Sequence, residues 1–220
     1  MLFPTYIVDN FFSDPDLVVD LSNSLDFSYD NKRFPGGRTQ SLHTINNNFF
    51  TSSCSKMLRT IYPNDEHISF SAVAYFQRIS KNMPDSGGWI HLDDDHKLTG
   101  LVYLNKKGTR GTSFFKPITP YNPPLNIIQK QDYYENYKKY KGDQLEILHK
   151  ARADANQNFS EVARVEGIYN RLVMFDGGEH HAEHLALLPE DRLTYIVFFE
   201  RISSKTQGLE FYPLERMRKT

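Results

Sequence analysis

The sequence contains a single cysteine, Cys54, and has no long uninterrupted apolar run. One cysteine cannot form an internal disulfide, which favours a reducing compartment. A membrane-spanning helix needs roughly 18–20 consecutive apolar residues, which this chain does not contain. The first residues, Met1–Thr5, lack the basic and apolar regions of a secretory signal. These absences predict a cytoplasmic protein with no membrane partner.

The chain also lacks an excess of charge of either sign. Its 26 Lys and Arg residues are balanced by 27 Asp and Glu residues, which gives a net charge of −1 and a pI near 6.7. A protein that binds the phosphates of nucleic acid usually presents a basic field, so we expect no nucleic-acid partner. No internal repeat divides the 220 residues, which are enough for one well-cored domain. We therefore predict a single domain over residues 1–220.

Residues 1–65 have the pattern of supporting helices. Leu17, Leu21 and Leu25 recur at intervals of four residues, which predicts a helix that buries this apolar face. A second helix is predicted from Ser53 to Ile61. Both helices are expected to pack on one face of a β-structure.

The rest of the chain is predicted to be mainly strands. Barrel strands are expected at residues 68–115 and 168–201, where apolar and β-branched residues dominate. Residues 117–167 are predicted to be an insertion and a candidate lid, with one helix over Asp143–Asp154. The segment Arg33–Arg38, rich in proline and glycine, is predicted to be a turn or loop.

A histidine and an aspartate with one residue between them suggest a metal site. On a strand, His91 and Asp93 would point to the same face and could bind one ion together. A histidine from the later cluster at 180–184 would complete a set of two imidazoles and one carboxylate. This set leaves coordination positions open, which is typical of non-haem Fe(II) oxygenases and not of closed structural zinc sites.

Asp93 is the best carboxylate candidate in its neighbourhood. Asp94 would face the opposite side of the strand from His91, and Asp95 follows near the expected end of the strand. We therefore assign both to a polar loop.

Five pieces of the chain, in their order, resemble the 2-oxoglutarate/Fe(II)-dependent dioxygenases, and among them the prolyl-hydroxylase-like branch. The pieces span about residues 68–201. They are His91–Asp93, the strand Tyr103–Asn105, the strand Gly111–Phe115, the segment Phe175–His181, and Arg192 with the apolar strand that follows it.

The resemblance favours His181 as the distal metal ligand. In this family the distal histidine is commonly followed by a small residue and, about ten positions later, by an arginine. His181 is followed by Ala182 and lies 11 residues before Arg192. His180 and His184 stay open as alternatives.

The resemblance also implies a role for Arg192 in binding the far carboxylate of 2-oxoglutarate. A guanidinium offers a planar, permanently charged fork that matches a carboxylate. Tyr103 is implied as a further contact to that carboxylate, and Tyr75 as a contact to the other end of the cosubstrate. The alternative is a surface arginine paired with Glu190 or Asp191.

We therefore predict a mainly β protein with flanking helices, built as a double-stranded β-helix of the jelly-roll or cupin type. Its expected cofactors are Fe(II) and the cosubstrate 2-oxoglutarate, and its expected partners are dioxygen and a peptide or small-molecule substrate. The implied activity is hydroxylation with release of succinate and CO2. Two alternatives remain: a cupin-like metal enzyme that does not use 2-oxoglutarate, and a non-catalytic binding barrel.

Overall fold

The computed structural model describes residues 4–29, 34–63, 68–81, 88–93, 95–118, 133–136, 139–183 and 190–204. The strands within these ranges are β1 Tyr6–Val8, β2 Gly37–Arg38, β3 Ile68–Ile79, β4 Leu98–Tyr103, β5 Thr109–Pro117, β6 Phe159–Gly167, β7 Leu172–Asp176, β8 His180–Glu183 and β9 Arg192–Ser204. The helices are α1 Pro15–Asn23, α2 Leu42–Ile45, α3 Asn47–Ile61 and α4 Asp143–Asn156.

The strands form two antiparallel sheets. The larger sheet has the order β1-β7-β4-β9-β3-β2, and the smaller has the order β6-β5-β8. Side chains from both sheets meet in one apolar cluster, in which Phe114 and Val165 of the smaller sheet contact residues such as Leu101, Phe175 and Ile196 of the larger. This arrangement is the predicted double-stranded β-helix with flanking helices.

Alternation along β9 separates the inside of the barrel from its helical cover. Ile196 and Phe198 point between the sheets, whereas Tyr195, Val197 and Phe199 point to the opposite face. That outer face packs against a cluster of helical residues, namely Val18, Leu42, Phe50, Cys54, Met57 and Leu58. The N-terminal helices therefore cover the outer face of the larger sheet. None of the described helices is both long and apolar enough to cross a membrane.

The two N-terminal helices differ in detail from the prediction. Helix α3 begins at Asn47 and not at Ser53, because the side chain of Asn46 caps it by accepting a hydrogen bond from the Phe49 amide at 3.2 Å. In α1, Leu17 is 64% exposed and Val18 is buried. The predicted apolar stripe was therefore wrong at Leu17. Adjacent residues of a helix point about 100° apart, so Val18 faces the core and Leu17 faces solvent.

Part of the predicted insertion belongs to a sheet. Residues 159–167 form β6, an edge strand that pairs with β5. The helix expected within the insertion is present as α4. Five consecutive residues of β6, at 160–164, are exposed. Because these positions do not need to be apolar, the sequence of β6 lacks the apolar alternation by which a strand is recognised. Residues 119–132 of the predicted insertion lie outside the described residues.

A second difference concerns the loop predicted at Arg33–Arg38. Gly37 and Arg38 form the short edge strand β2, which pairs with Arg78 and Gln77 of β3. Gly36 has a φ of +72°, and a Cβ there would lie 2.1 Å from a carbonyl oxygen of β3. The glycine therefore lets the chain approach β3 closely enough to pair.

Candidate metal centre

Backbone hydrogen bonds bring the two histidine segments together. The amide of His91 donates to the carbonyl of His181 at 3.0 Å, and the amide of His181 donates back at 2.9 Å. His91 lies in this isolated bridge and not in a continuous strand. The segment after it is held by Gly177, whose carbonyl accepts from the Asp93 amide at 2.8 Å.

The three predicted ligands converge on one point. One ligand atom from each of His91, Asp93 and His181 lies within 4.8 Å of the others. His91 Nε2 is 3.7 Å from one Asp93 carboxylate oxygen, and His181 Nε2 is 3.4 Å from the other. Three ligand atoms around a metal, each about 2.0–2.2 Å from the ion, are spaced on this scale.

The backbone fixes the orientation of both imidazoles. His91 Nδ1 donates to the Trp89 carbonyl at 2.7 Å, and His181 Nδ1 donates to the Glu179 carbonyl at 2.9 Å. A carbonyl oxygen can only accept, so the proton of each neutral ring lies on Nδ1. In both rings Nε2 then presents a lone pair towards Asp93, as a metal ligand requires.

Asp93 is held as a carboxylate. Burial by itself raises its pKa, but the positive charges that His181 and His91 carry when they are protonated, together with a 2.8 Å hydrogen bond from Thr99 Oγ1, lower the pKa by more. The pKa therefore lies well below the usual range for aspartate. The group is ionised at neutral pH and ready to bind a cation.

The structure separates the competing residues. Asp95 is exposed, and the imidazole of His180 lies against the Phe159 ring at a centroid distance of 4.9 Å. Neither belongs to the cluster at the centre. Asp94 and His184 lie outside the described residues.

The three candidate ligands line a cavity between the two sheets, with about 540 Å³ of atom-free space that is partly open to solvent. Arg192 lines the same cavity and is only 2% exposed. Its Nε and Nη2 atoms are buried and have no hydrogen-bond partner among the described residues. Such a cation indicates the place of an anion, because an uncompensated buried charge is costly.

The acidic residues next to Arg192 bind elsewhere. Glu190 accepts from Asn105 Nδ2 at 3.1 Å, and Asp191 Oδ1 accepts from the Lys81 amide at 3.0 Å. The alternative of a surface arginine is therefore wrong.

The two predicted tyrosines lie near the cavity without lining it. Tyr103 is fully buried, donates to Thr112 Oγ1 at 2.8 Å, and has its ring centre 5.5 Å from Arg192 Cζ. Burial raises the pKa of Tyr103, and the charge of Arg192 opposes this effect. Tyr75 is half-buried, with its ring 5.5 Å from Arg38 Cζ.

The sequence profile of a family of unknown function, DUF6445, matches residues 3–194. The chain belongs to this family. No curated protein matches it significantly.

Solved structures similar to this DUF6445 member are 2-oxoglutarate oxygenases. HygX from Streptomyces hygroscopicus, with nickel and 2-oxoglutarate bound, has a TM-score of 0.53 and 13% identity, covering 89% of this chain and 82% of HygX. A prolyl hydroxylase from Trichoplax adhaerens, in complex with a hypoxia inducible factor peptide fragment, has a TM-score of 0.51 and 14% identity over 89% of this chain and 82% of its own.

A prolyl 4-hydroxylase from Phytophthora capsici is also similar, with 14% identity and a TM-score of 0.46, and this chain covers 60% of its length. At these identities the likeness of the HygX and Trichoplax structures establishes the fold. That fold is the one implied by the resemblance to the prolyl-hydroxylase-like branch.

Two charged residues that line the cavity of this DUF6445 member escaped sequence analysis, namely Arg38 and Glu183. Arg38 was assigned to a loop, although the glycine pair before it is a signal of close backbone approach. Glu183 comes two residues after His181 on β8, so strand alternation places both on one face. This spacing was the available signal for Glu183.

Proposed function

We propose that this protein is an Fe(II)- and 2-oxoglutarate-dependent dioxygenase that hydroxylates a C–H bond. One observation carries the proposal: a converged set of two histidines and an aspartate shares a cavity with a buried arginine whose Nε and Nη2 have no hydrogen-bond partner among the described residues. The first feature fits a divalent metal, and the second fits an anionic cosubstrate.

The donor set suits iron with open positions. Two neutral imidazoles and one carboxylate occupy one side of the ion, as in facial-triad Fe(II) sites. His91, Asp93 and His181 would hold the metal, and the hydrogen bonds to Trp89 and Glu179 would keep the imidazole rings in place.

Arg192 suits the far carboxylate of 2-oxoglutarate. Its unpartnered Nε and Nη2 offer two donors from one planar group, which can bind a carboxylate bidentately. Thr194 follows two residues later on the same face of β9, and its buried hydroxyl also lacks a partner among the described residues. Both features favour a polar ligand at this end of the cavity.

Bound in this cavity, Fe(II) and 2-oxoglutarate would use dioxygen to hydroxylate a substrate C–H bond, with release of succinate and CO2. The protein has three tasks. Asp93 keeps its negative charge and offsets the charge of the metal. Arg192 orients the cosubstrate, and the apolar walls formed by Leu101, Phe175 and Ile196 limit access of water.

The alternatives receive less support. A cupin-like enzyme that does not use 2-oxoglutarate would be favoured if Arg192 faced solvent. Arg192 is instead buried in the cavity. A non-catalytic barrel is favoured by ligands that do not converge, but these three do.

Calorimetric titration tests the proposal. Purified protein should bind one equivalent of Fe(II) without oxygen, then one of 2-oxoglutarate, and should form succinate when oxygen is admitted. Asp93→Ala should bind neither metal nor cosubstrate, whereas Asp95→Ala, its exposed neighbour, serves as the matched control and should behave like the wild type. Full metal binding by Asp93→Ala would contradict the proposed site.

A further inference from the structure

Arg38 brings a second guanidinium into the cavity of the candidate metal centre. Its Cζ stacks 3.6 Å from the centre of the Phe34 ring. Among the described residues, its hydrogen-bond acceptor is Gln77 Oε1 at 3.3 Å, and its buried Nε has none. A guanidinium has five N–H donors, so most of the binding capacity of Arg38 is unused.

The environment of Arg38 calls for an anion. Burial lowers its pKa to about 10, while the negative charges of Asp93 and Glu183 act in the opposite direction. If Asp93 binds a metal ion, its charge is shared with that ion and no longer offsets the arginine. A further negative group near the half-buried Arg38 would then offset its charge.

That anion is not the far carboxylate of the cosubstrate, which the proposed function assigns to Arg192. The two arginines lie on opposite sides of β3, with Arg38 on edge strand β2 and Arg192 on β9. Their registers differ as well: Arg38 pairs with Gln77, and Arg192 pairs with Ile79. The cavity therefore has two separate positions for anionic groups.

Glu183 lines the same cavity and provides the opposite charge. It lies on β8, an edge strand of the smaller sheet, on the same face as His181. Its Oε1 accepts from the Tyr134 hydroxyl at 3.1 Å. A Cβ on Gly88 would lie 2.3–2.6 Å from its carboxylate atoms, so this glycine preserves the space that the carboxylate occupies.

Arg38 of edge strand β2 and Glu183 of edge strand β8 thus line the same cavity as the candidate metal ligands. Among the described residues, no ion pair joins them, although each lies within range of the other's charge. A ligand with one acidic and one basic group would satisfy both at once.

We propose that Arg38 and Glu183 are the substrate-binding pair, and that the substrate is a small zwitterion of the free amino acid class. Arg38 binds its carboxylate and Glu183 binds its ammonium group. This inference rests on the proposed function, because it assumes that Asp93 holds the metal and Arg192 holds the cosubstrate.

The test measures binding and not turnover. The protein is loaded with Ni(II) and 2-oxoglutarate, the combination found in HygX, and titrated calorimetrically with each of the common free L-amino acids. Every amino acid that binds is compared with its carboxamide, which lacks the negative charge, and with its N-acetyl form, which lacks the positive charge. We expect both derivatives to bind about 10- to 100-fold more weakly, as loss of a charged hydrogen bond implies.

Variants assign each loss to a residue. Arg38→Met should weaken binding of the free amino acid by the same factor but leave the affinity for the carboxamide unchanged. Glu183→Gln should also weaken binding of the free amino acid, but should leave the affinity for the N-acetyl form unchanged. Both variants should bind 2-oxoglutarate within about twofold of the wild type, since the proposal assigns the cosubstrate to Arg192 and not to either of these residues. Arg201→Met, which removes an exposed arginine of β9, is the matched control.

The outcomes are distinct. Weaker binding of 2-oxoglutarate by Arg38→Met would make Arg38 a cosubstrate anchor and overturn the inference. If the loaded wild type binds no free amino acid, or binds the derivatives equally well, the inference fails and the proposed function stands. If the wild type binds Ni(II) but not 2-oxoglutarate, the proposed function fails, and the inference fails with it. The comparison of derivatives on the wild type requires no variant to fold.

Discussion

His91 and His181 exchange both of their backbone hydrogen bonds, at 3.0 and 2.9 Å, although they come from distant parts of the chain. The pairing brings their ring centres to 4.4 Å from each other. It also sets which of two adjacent histidines faces the candidate metal centre, because neighbouring residues of a strand point to opposite faces.

The two adjacent histidines should therefore behave differently on substitution. His181→Ala should lose stoichiometric metal binding, because one of the three ligand atoms disappears. His180→Ala should retain it, because its imidazole packs against Phe159 outside the centre. Metal analysis of the two purified variants after loading and gel filtration makes the comparison. The reverse result would assign the distal ligand to His180.

Thr99 should tune the metal affinity without binding the metal. Its hydroxyl donates to Asp93 Oδ2 at 2.8 Å, and Thr99→Val removes this bond with little change of shape. We expect the metal affinity to fall by about 10- to 100-fold, the usual effect of losing a partner of a ligand. Competition against a metal-binding dye measures the change. Thr51→Val, at an exposed position of α3, is the control and should leave the affinity unaltered.

Arg192 should determine the affinity for 2-oxoglutarate. Arg192→Ala removes the cation opposite a buried carboxylate, which costs about 3–5 kcal/mol of binding free energy. Arg192→Lys should recover part of the loss, since a point charge cannot make the bidentate contact. Calorimetry on folded, metal-loaded proteins gives the affinities, and metal binding itself should be unaffected. If Arg192→Ala binds 2-oxoglutarate as tightly as the wild type, Arg192 does not bind the carboxylate of the cosubstrate.

Cys54 should be unreactive in the folded protein. Its side chain is fully buried under the larger sheet, and burial raises the pKa of the thiol to about 12 from an ordinary value of 9.0. At pH 8 a disulfide reagent should react slowly with the native protein and rapidly after unfolding in urea. Because this is the sole cysteine, the signal belongs to it alone. Rapid reaction under native conditions would show that the thiol is accessible.

The same shift predicts a pH dependence of stability. Between pH 9 and pH 12 the unfolded chain loses the thiol proton while the folded protein keeps it, so the free energy of unfolding should fall as pH rises. The fall should be steeper in the wild type than in Cys54→Ala, by up to about 1.4 kcal/mol per pH unit. Urea unfolding of both proteins at pH 8 and pH 10 provides the measurement.

The amino-acid sequence by itself determined the chemistry of the centre. The spacing of His91 and Asp93 needs little tertiary context, because residues two apart in an extended chain share a face. The order of the strand segments was enough to suggest the double-stranded β-helix, since apolar alternation is a local property. The spacing from His181 to Arg192 came from the resemblance to a family, and the structure brings both residues to one cavity.

Only the tertiary structure revealed the strands that lack an apolar alternation in the sequence, and with them the positions of the residues that these strands carry. β6 has a charged and largely exposed surface, and β2 has only two residues, so neither shows an apolar period. The position of Arg38 follows from the pairing of β2 with β3, and that of Glu183 from the pairing of β8 with β5. Local sequence determines which face of its own strand a side chain occupies. Which other side chains it meets in the cavity depends on pairing between strands that are far apart in the chain.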